Sequence, residues 1–352
     1  MTATAPAPLL DEAPSELRAL VRLGAPIAAA QFGFVLLGLV DTAILGRVSV
    51  DDLAAASMGR SIIFAAASFG IGVSLALEPL ASQAVGANEP DRAWAAFRST
   101  LWVGGLVSVP ALALAFALVA LLAPLGVEAA LIPRVFDFVL GHAPGLFAFS
   151  AFLSLKSFLQ AHGRTLPALI ASFVANVVNF VLCSLLVRGD DALTSVGLPA
   201  LGLPTLGALG AGIAASVANI TMAGVIFLSA SVYKPKHVAA TMPLGVVFRL
   251  AVPISLQLAA EVALFAFVAL LAGRLGSAVV SAHQIAIGLA SFTFMGALGI
   301  GGATATRVGH AVGAGRSPMR VGMLGVGLGA AVMMVGAVAF ATIPELLMRI
   351  FT

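Results

Sequence analysis

Charge is what this sequence has least of. Only 9% of its 352 residues are Asp, Glu, Lys or Arg, against 61% hydrophobic, and the mean hydropathy is +1.10. A soluble domain carries roughly 25% charged residues. With 18 Lys and Arg and 15 Asp and Glu, this chain cannot cover an apolar core with a charged shell, which excludes a soluble enzyme. The net charge of +3 excludes a nucleic-acid binder that works by charge. Cys183 is the single cysteine, so disulfides and cysteine metal clusters are excluded. The five histidines include no HExxH, which argues against a metalloprotease, and there is no P-loop, so ATP-driven transport would need another subunit. Residues 1–16 lack the basic stretch of a signal peptide and read as a short cytoplasmic tail.

Long apolar runs are what is there. A membrane helix needs about 20 mostly apolar residues. Nine runs qualify: 22–46, 53–78, 94–123, 130–160, 165–187, 206–231, 245–273, 277–304 and 318–344. The breaks hold charge, Gly and Pro, as in Asn88-Glu89-Pro90-Asp91-Arg92 and Arg188-Gly189-Asp190-Asp191. Pro26, Pro110, Pro144 and Pro253 fall inside runs and predict kinks, whose freed carbonyls neighbouring helices can satisfy. The fold class is therefore all-α integral membrane. With the N-terminus cytoplasmic, only Arg47, Arg60, Arg134, Arg188, Arg274 and Arg349 of the 18 basic residues fall outside. The positive-inside rule selects that orientation, in the cell's inner membrane.

An internal repeat follows. Arg22-Leu23-Gly24-Ala25-Pro26-Ile27 matches Arg249-Leu250-Ala251-Val252-Pro253-Ile254 at an offset of 227 residues. The same offset carries Gly46-Arg47 onto Gly273-Arg274, and Ala84-Val85-Gly86-Ala87 onto Ala311-Val312-Gly313-Ala314. Six spans make the first unit, so both units insert with one orientation, as parallel repeats about an axis normal to the membrane. This divides the chain into a tail (1–16), a first lobe (17–236) and a partial second lobe (237–352). The offset sets residue 352 opposite Leu125, after the third span of the first unit. About three further helices are expected, from a continuation of the chain or from a separate chain.

Charged and polar groups inside spans cost several kcal/mol and are functional candidates by default. Asp41 lies in the outer half of the first span. Glu261 lies near the middle of the seventh with no basic residue within two turns, so it must be protonated, hold a cation or face water. Asn176 and Asn179 share a face of the fifth span and could accept a cation, donate to Asp41 or join helices. Gln31 and Gln257 occupy nearly equivalent places in the first and seventh spans, as cavity lining or helix-joining groups. His283-Gln284 opens the eighth span. Glu78, before Pro79, reads as snorkelling to the cytoplasmic surface, and Lys156 and Asp137 as interfacial.

These segments together resemble the multidrug and toxic compound extrusion (MATE) family, nearest to its NorM branch. The resemblance rests on Ala25-Pro26-Ile27 with Gln31, on Val40-Asp41-Thr42, on Pro79-Leu80-Ala81-Ser82-Gln83-Ala84 and on Asn176-Val177-Val178-Asn179. It continues through Glu261-Val262-Ala263-Leu264-Phe265, Ala282-His283-Gln284 and Arg307-Val308-Gly309-His310, and it covers essentially all of 17–350. It implies two six-helix lobes around a central cleft, with about nine of twelve helices in this chain. It also implies export of lipophilic cations in exchange for Na⁺ or H⁺, with no organic cofactor. Asp41 matches the family's first-helix acid, implicated in proton or drug binding. Glu261 matches the seventh-helix glutamate, implicated in cation binding, and a Na⁺ there would be the only metal. Gln31, Asn176, Asn179, Gln257, His283 and Gln284 are candidate lining or substrate-binding residues. The family's fifth-helix ligand pair is broken here, because Cys183 follows Asn179 where a second Asn or an Asp stands. The tenth-helix acid that completes the Glu261 site lies beyond the nine spans.

Two alternatives stand beside the antiporter. A lipid-linked precursor flippase would need an Arg-rich cavity for diphosphate, whereas the mid-span charges named above are acidic. A non-transporting fragment would insert without moving substrate.

Overall fold

The structure, a computed structural model, describes residues 13–235, 241–274 and 277–344. Its elements are α1 (Ala13–Leu45), α2 (Val50–Gly86), α3 (Pro90–Ala120), α4 (Leu131–Ala161), α5 (Leu166–Arg188), the short α6 (Asp190–Thr194), α7 (Gly207–Ser231), α8 (Leu244–Arg274), α9 (Ser277–Gly313) and α10 (Met319–Thr342). Among the described residues nine helices are long and apolar enough to cross a membrane, as the spans predict. Most of the predicted tail, residues 1–12, lies outside the described residues. Within the remainder, α1 starts at Ala13, and Glu16 is buried. The exterior is apolar too, with Trp102, Phe173, Phe180 and Leu228 exposed. A helix that faces lipid requires such a surface.

Polar side chains do the local work at the ends. Ser49 caps α2 by accepting from the Asp52 amide at 3.1 Å, and Asp51 and Asp52 face the positive end of that helix. Arg134, at the start of α4, pairs with Asp52 at 3.0 Å and with Asp51 at 3.5 Å, which ties α4 to α2. Beyond α5, Gly189 takes φ +57°, and Asp190 accepts from the amides of Leu201, Gly202 and Leu203, each at 3.0 Å. The Leu203 and Leu201 amides hold this exposed carboxyl below the usual carboxylate range.

Next to Pro144, a side chain of α7 enters the hydrogen-bond ladder of α4. At Pro144 the Ser216 hydroxyl of α7 donates to Gly141 O at 2.7 Å and accepts from Gly145 N at 2.9 Å. Those two backbone groups would otherwise bond each other along α4, so Ser216 is inserted into the helical ladder. Gly141 and Gly145 make room for it. A Cβ on Gly141 would stand 2.8 Å from Leu209 O, and one on Gly145 would stand 2.7 Å from Ser216 Cα. Small residues at the crossing let two backbones meet without a hydrophobic drive between helices.

The repeat shows in the packing. α1 packs on α9 as its counterpart α8 packs on α2, and α2 crosses α9. That exchange is what a two-fold relation between units produces. We call the face where α1 begins proximal and the opposite face distal. Among the described residues every hydrogen bond and ion pair between α1–α7 and α8–α10 lies in the proximal halves of the helices. Arg307 pairs with Glu16, with Nε to Oε2 at 3.1 Å. His310 Nε2 donates to Ala161 O at 2.7 Å, and Gln160 donates to Gly302 O at 3.1 Å and to Thr306 Oγ1 at 3.3 Å. Ser255 donates to Phe69 O at 3.2 Å. At mid-depth the rings of Phe32 and Phe292 meet at 5.8 Å. Toward the distal face, Leu36 and Leu39 of α1 and Leu264 and Phe265 of α8 are exposed. The units are joined proximally and diverge distally.

Candidate functional site

The distal half of the first unit holds a polar cluster inside an apolar bundle. α1 lies against α5, and Gly33 supplies the notch. A Cβ at Gly33 would overlap the Ser172 hydroxyl of α5, and Asn176 Nδ2 donates there to Gly33 O at 3.0 Å and to Ser172 O at 2.8 Å. This docking sets Asp41 beside the next turns of α5. Asp41 is 4% exposed, and Asn179 Nδ2 donates to its Oδ1 at 2.7 Å. Cys183, one turn further along α5, also hydrogen-bonds the carboxyl. The donor reading of Asn179 is the one the structure realises. Cys183 fills the place where the family resemblance implies an oxygen ligand.

The amide oxygens of Asn176 and Asn179 are both buried without a partner. Such groups are rare and costly. With Asp41 they give this part of the unit acceptors in excess of donors, which suits a cation or a proton donor.

Two residues of this cluster were not legible as site residues in the sequence. Arg60, assigned only to the outer charge count, lies in α2 and is half-buried. Its Nη1 donates to Gly38 O, and Asp41 and His142 are both within its electrostatic reach. His142 of α4 stacks on Phe138 at 5.9 Å, and its Nε2 is 3.4 Å from Asn219 Nδ2 of α7. Its Nδ1 is buried without a partner. The signal available was depth: Arg60 and His142 each fall well inside a predicted span.

A second polar group lies proximally and corrects two readings. α2 runs on to Gly86, past the predicted end at residue 78, so Glu78 sits inside the helix and does not snorkel. Its carboxyl faces Lys156 electrostatically and is bonded by the Gln160 and Ser157 side chains of α4. Lys156, read as interfacial, is half-buried and faces Glu78. Ser74 completes the group, donating to Leu153 O at 3.0 Å and lying 2.8 Å from Ser157 Oγ. Because Gln160 also reaches α9, this group adjoins the joint between units.

The remaining candidates are spread out. Glu261 and Gln257 are exposed on α8, and Glu261 has no hydrogen-bond or ion-pair partner among the described residues. Gln31 is half-buried on α1. His283 is half-buried on α9, with its Nε2 buried and unpartnered. The Gln284 side chain lies outside the described residues. Asp41 and Glu261 are not brought together: α1 rests on α5 and α9, whereas α8 rests on α2.

The MatE family model matches residues 26–185 and 253–352. The chain is 31% identical over 334 residues to multidrug resistance protein NorM of Vibrio vulnificus strain YJ016, covering 90% of this chain and 70% of that protein. It is 34% identical to probable multidrug resistance protein NorM of Bradyrhizobium diazoefficiens, covering 94% of this chain and 70% of the relative. Among solved structures, the eukaryotic MATE transporter AtDTX14 superposes with a TM-score of 0.77 at 23% identity, over 93% of this chain and 72% of that one. A multidrug resistance MATE transporter in an outward-facing conformation gives 0.78 at 17% identity, over 95% of this chain and 75% of that one. At these identities the superpositions speak for the fold. The family match across both units, together with the NorM relatives, makes this chain a member of the MATE family of multidrug transporters.

Proposed function

We propose that the chain acts as a cation-coupled antiporter of the inner membrane, exporting lipophilic cations in exchange for Na⁺ or H⁺ by alternating access, with its N-terminus in the cytoplasm. It is a transporter and not an enzyme, as the names of its relatives suggest. The observation that carries the reading is Asp41, buried in the first unit and held by Asn179, whose amide oxygen is itself buried and unpartnered. A buried carboxylate inside an apolar bundle attracts a cation out of water, and a second cation at the same charge displaces the first. Competition for one charge is sufficient for exchange, provided the two states of the protein bind the rivals differently. The joint at the proximal face supports this reading: with the N-terminus in the cytoplasm the joint lies on the cytoplasmic side, and rocking one unit on the other would open the site there.

The test is ethidium transport by the 352-residue chain in proteoliposomes under imposed Na⁺ and pH gradients. Asp41→Asn is expected to lower transport at least tenfold while membrane insertion stays normal. Undiminished transport by that variant would reject the role. Comparing Glu261→Gln in the same assay measures what the exposed α8 carboxylate adds.

A further inference from the structure

Arg60 is not needed by the mechanism above, and its position is specific. Its guanidinium rests on α1 at Gly38 O, three residues before Asp41 and so on the same face of that helix. A Cβ on Gly38 would overlap Nη1, so glycine is what lets the head dock there. Arg60 acts on Asp41 electrostatically and forms no ion pair with it. Its Nη2 is buried without a partner, so the docked head leaves a charged donor unsatisfied inside the protein. That costs free energy which contact with a carboxylate would recover. Three residues, a rise of about 4.5 Å, separate the dock from Asp41 along α1, within reach of a long, flexible arginine side chain.

We propose that Arg60 is a tethered cation that exchanges with the transported cation at Asp41. When the site is empty, the guanidinium moves along α1 and pairs with Asp41. When a cation holds Asp41, repulsion returns Arg60 to its dock on Gly38. Arg60 thereby weakens the site for every monovalent cation, drives release of a bound one, and keeps the buried carboxylate from standing uncompensated between turnovers. The inference rests on the reading of Asp41 as a cation site.

Equilibrium binding of tetraphenylphosphonium to the full chain in nanodiscs tests both. Arg60→Gln removes the rival charge and is expected to tighten binding about tenfold, as one competing charge at intermediate dielectric allows. Arg60→Lys keeps the charge and is expected to stay within about threefold of wild type. Gly38→Ala evicts the docked head toward Asp41 and is expected to weaken binding severalfold, the opposite sign, with no effect once Arg60 is Gln. In an Asp41→Asn background, Arg60→Gln is expected to change nothing. Binding within twofold of wild type for both Arg60→Gln and Gly38→Ala overturns the exchange. So does an Arg60→Gln effect that persists without Asp41. Unchanged binding by Asp41→Asn alone instead overturns the cation-site reading on which the exchange rests.

Discussion

Gly313→Val separates the two units at the proximal face and abolishes transport. A Cβ on Gly313 would overlap Gln83 O and stand 2.8 Å from Gln83 C and 2.9 Å from Ala87 N. All of these are backbone atoms of the α2 end and cannot rotate away. The counterpart Gly86 is equally confined, because its Cβ would overlap the His310 backbone. These two glycines are equivalent in the 227-residue repeat. The crossing of α2 and α9 is therefore built from one motif used twice. Where a side chain blocks a contact, a core repacks at about 1–3 kcal/mol; where backbone blocks it, the helices must move. Spin labels at Asn88 and Arg316, both exposed on the proximal face, should report a longer mean distance in Gly313→Val than in wild type, by several ångströms. Gly105→Val, at a glycine with open space around its Cβ position, is the control expected to change neither distance nor transport. An unchanged distance in Gly313→Val would show that the crossing yields without opening.

Glu16→Gln has the second large effect. Glu16 and Arg307 are 2% and 6% exposed and join the first turns of α1 to the last third of α9. Neutralising one member of a buried ion pair is strongly destabilising, at about 3–5 kcal/mol. The pair sits at the proximal joint, so the loss falls on the closed form and not on either unit alone. Thermal unfolding in detergent should drop sharply for Glu16→Gln. The double variant Glu16→Leu with Arg307→Met should recover most of the loss, because apolar replacement of both partners is close to neutral. A Glu16→Gln variant as stable as wild type would show that the pair is not what holds the joint.

The joint and the site differ in how openly the sequence carries them. Nine helices were legible because one solvent, lipid, dictates length and apolarity together, and the breaks at Gly, Pro and charge are unambiguous. The repeat was legible through Gly86 and Gly313, although only the packing showed that these residues meet each other's helices. Helix ends were less legible. The extension of α2 to Gly86 turned Glu78 from a group at a helix end into a half-buried one inside the helix, facing Lys156, since Glu, Pro and Gln inside a helix end look like a boundary when their partners are unknown. The partners, Ser157 and Gln160, are on α4.

Sequence alone determined that this chain crosses a membrane as a bundle of helices, that one segment recurs at an offset of 227 residues, and that Asp41 and Glu261 lie inside spans. Those properties depend on composition, periodicity and offset, all of which are local or additive along the chain. Tertiary structure alone decided that Asn179 and not Asn176 holds Asp41, that Arg60 docks on Gly38 beside it, and that Glu16 belongs to the joint with Arg307. Each of these is a pairing between distant turns. It depends on which faces of two helices come together, and hydropathy carries no record of that.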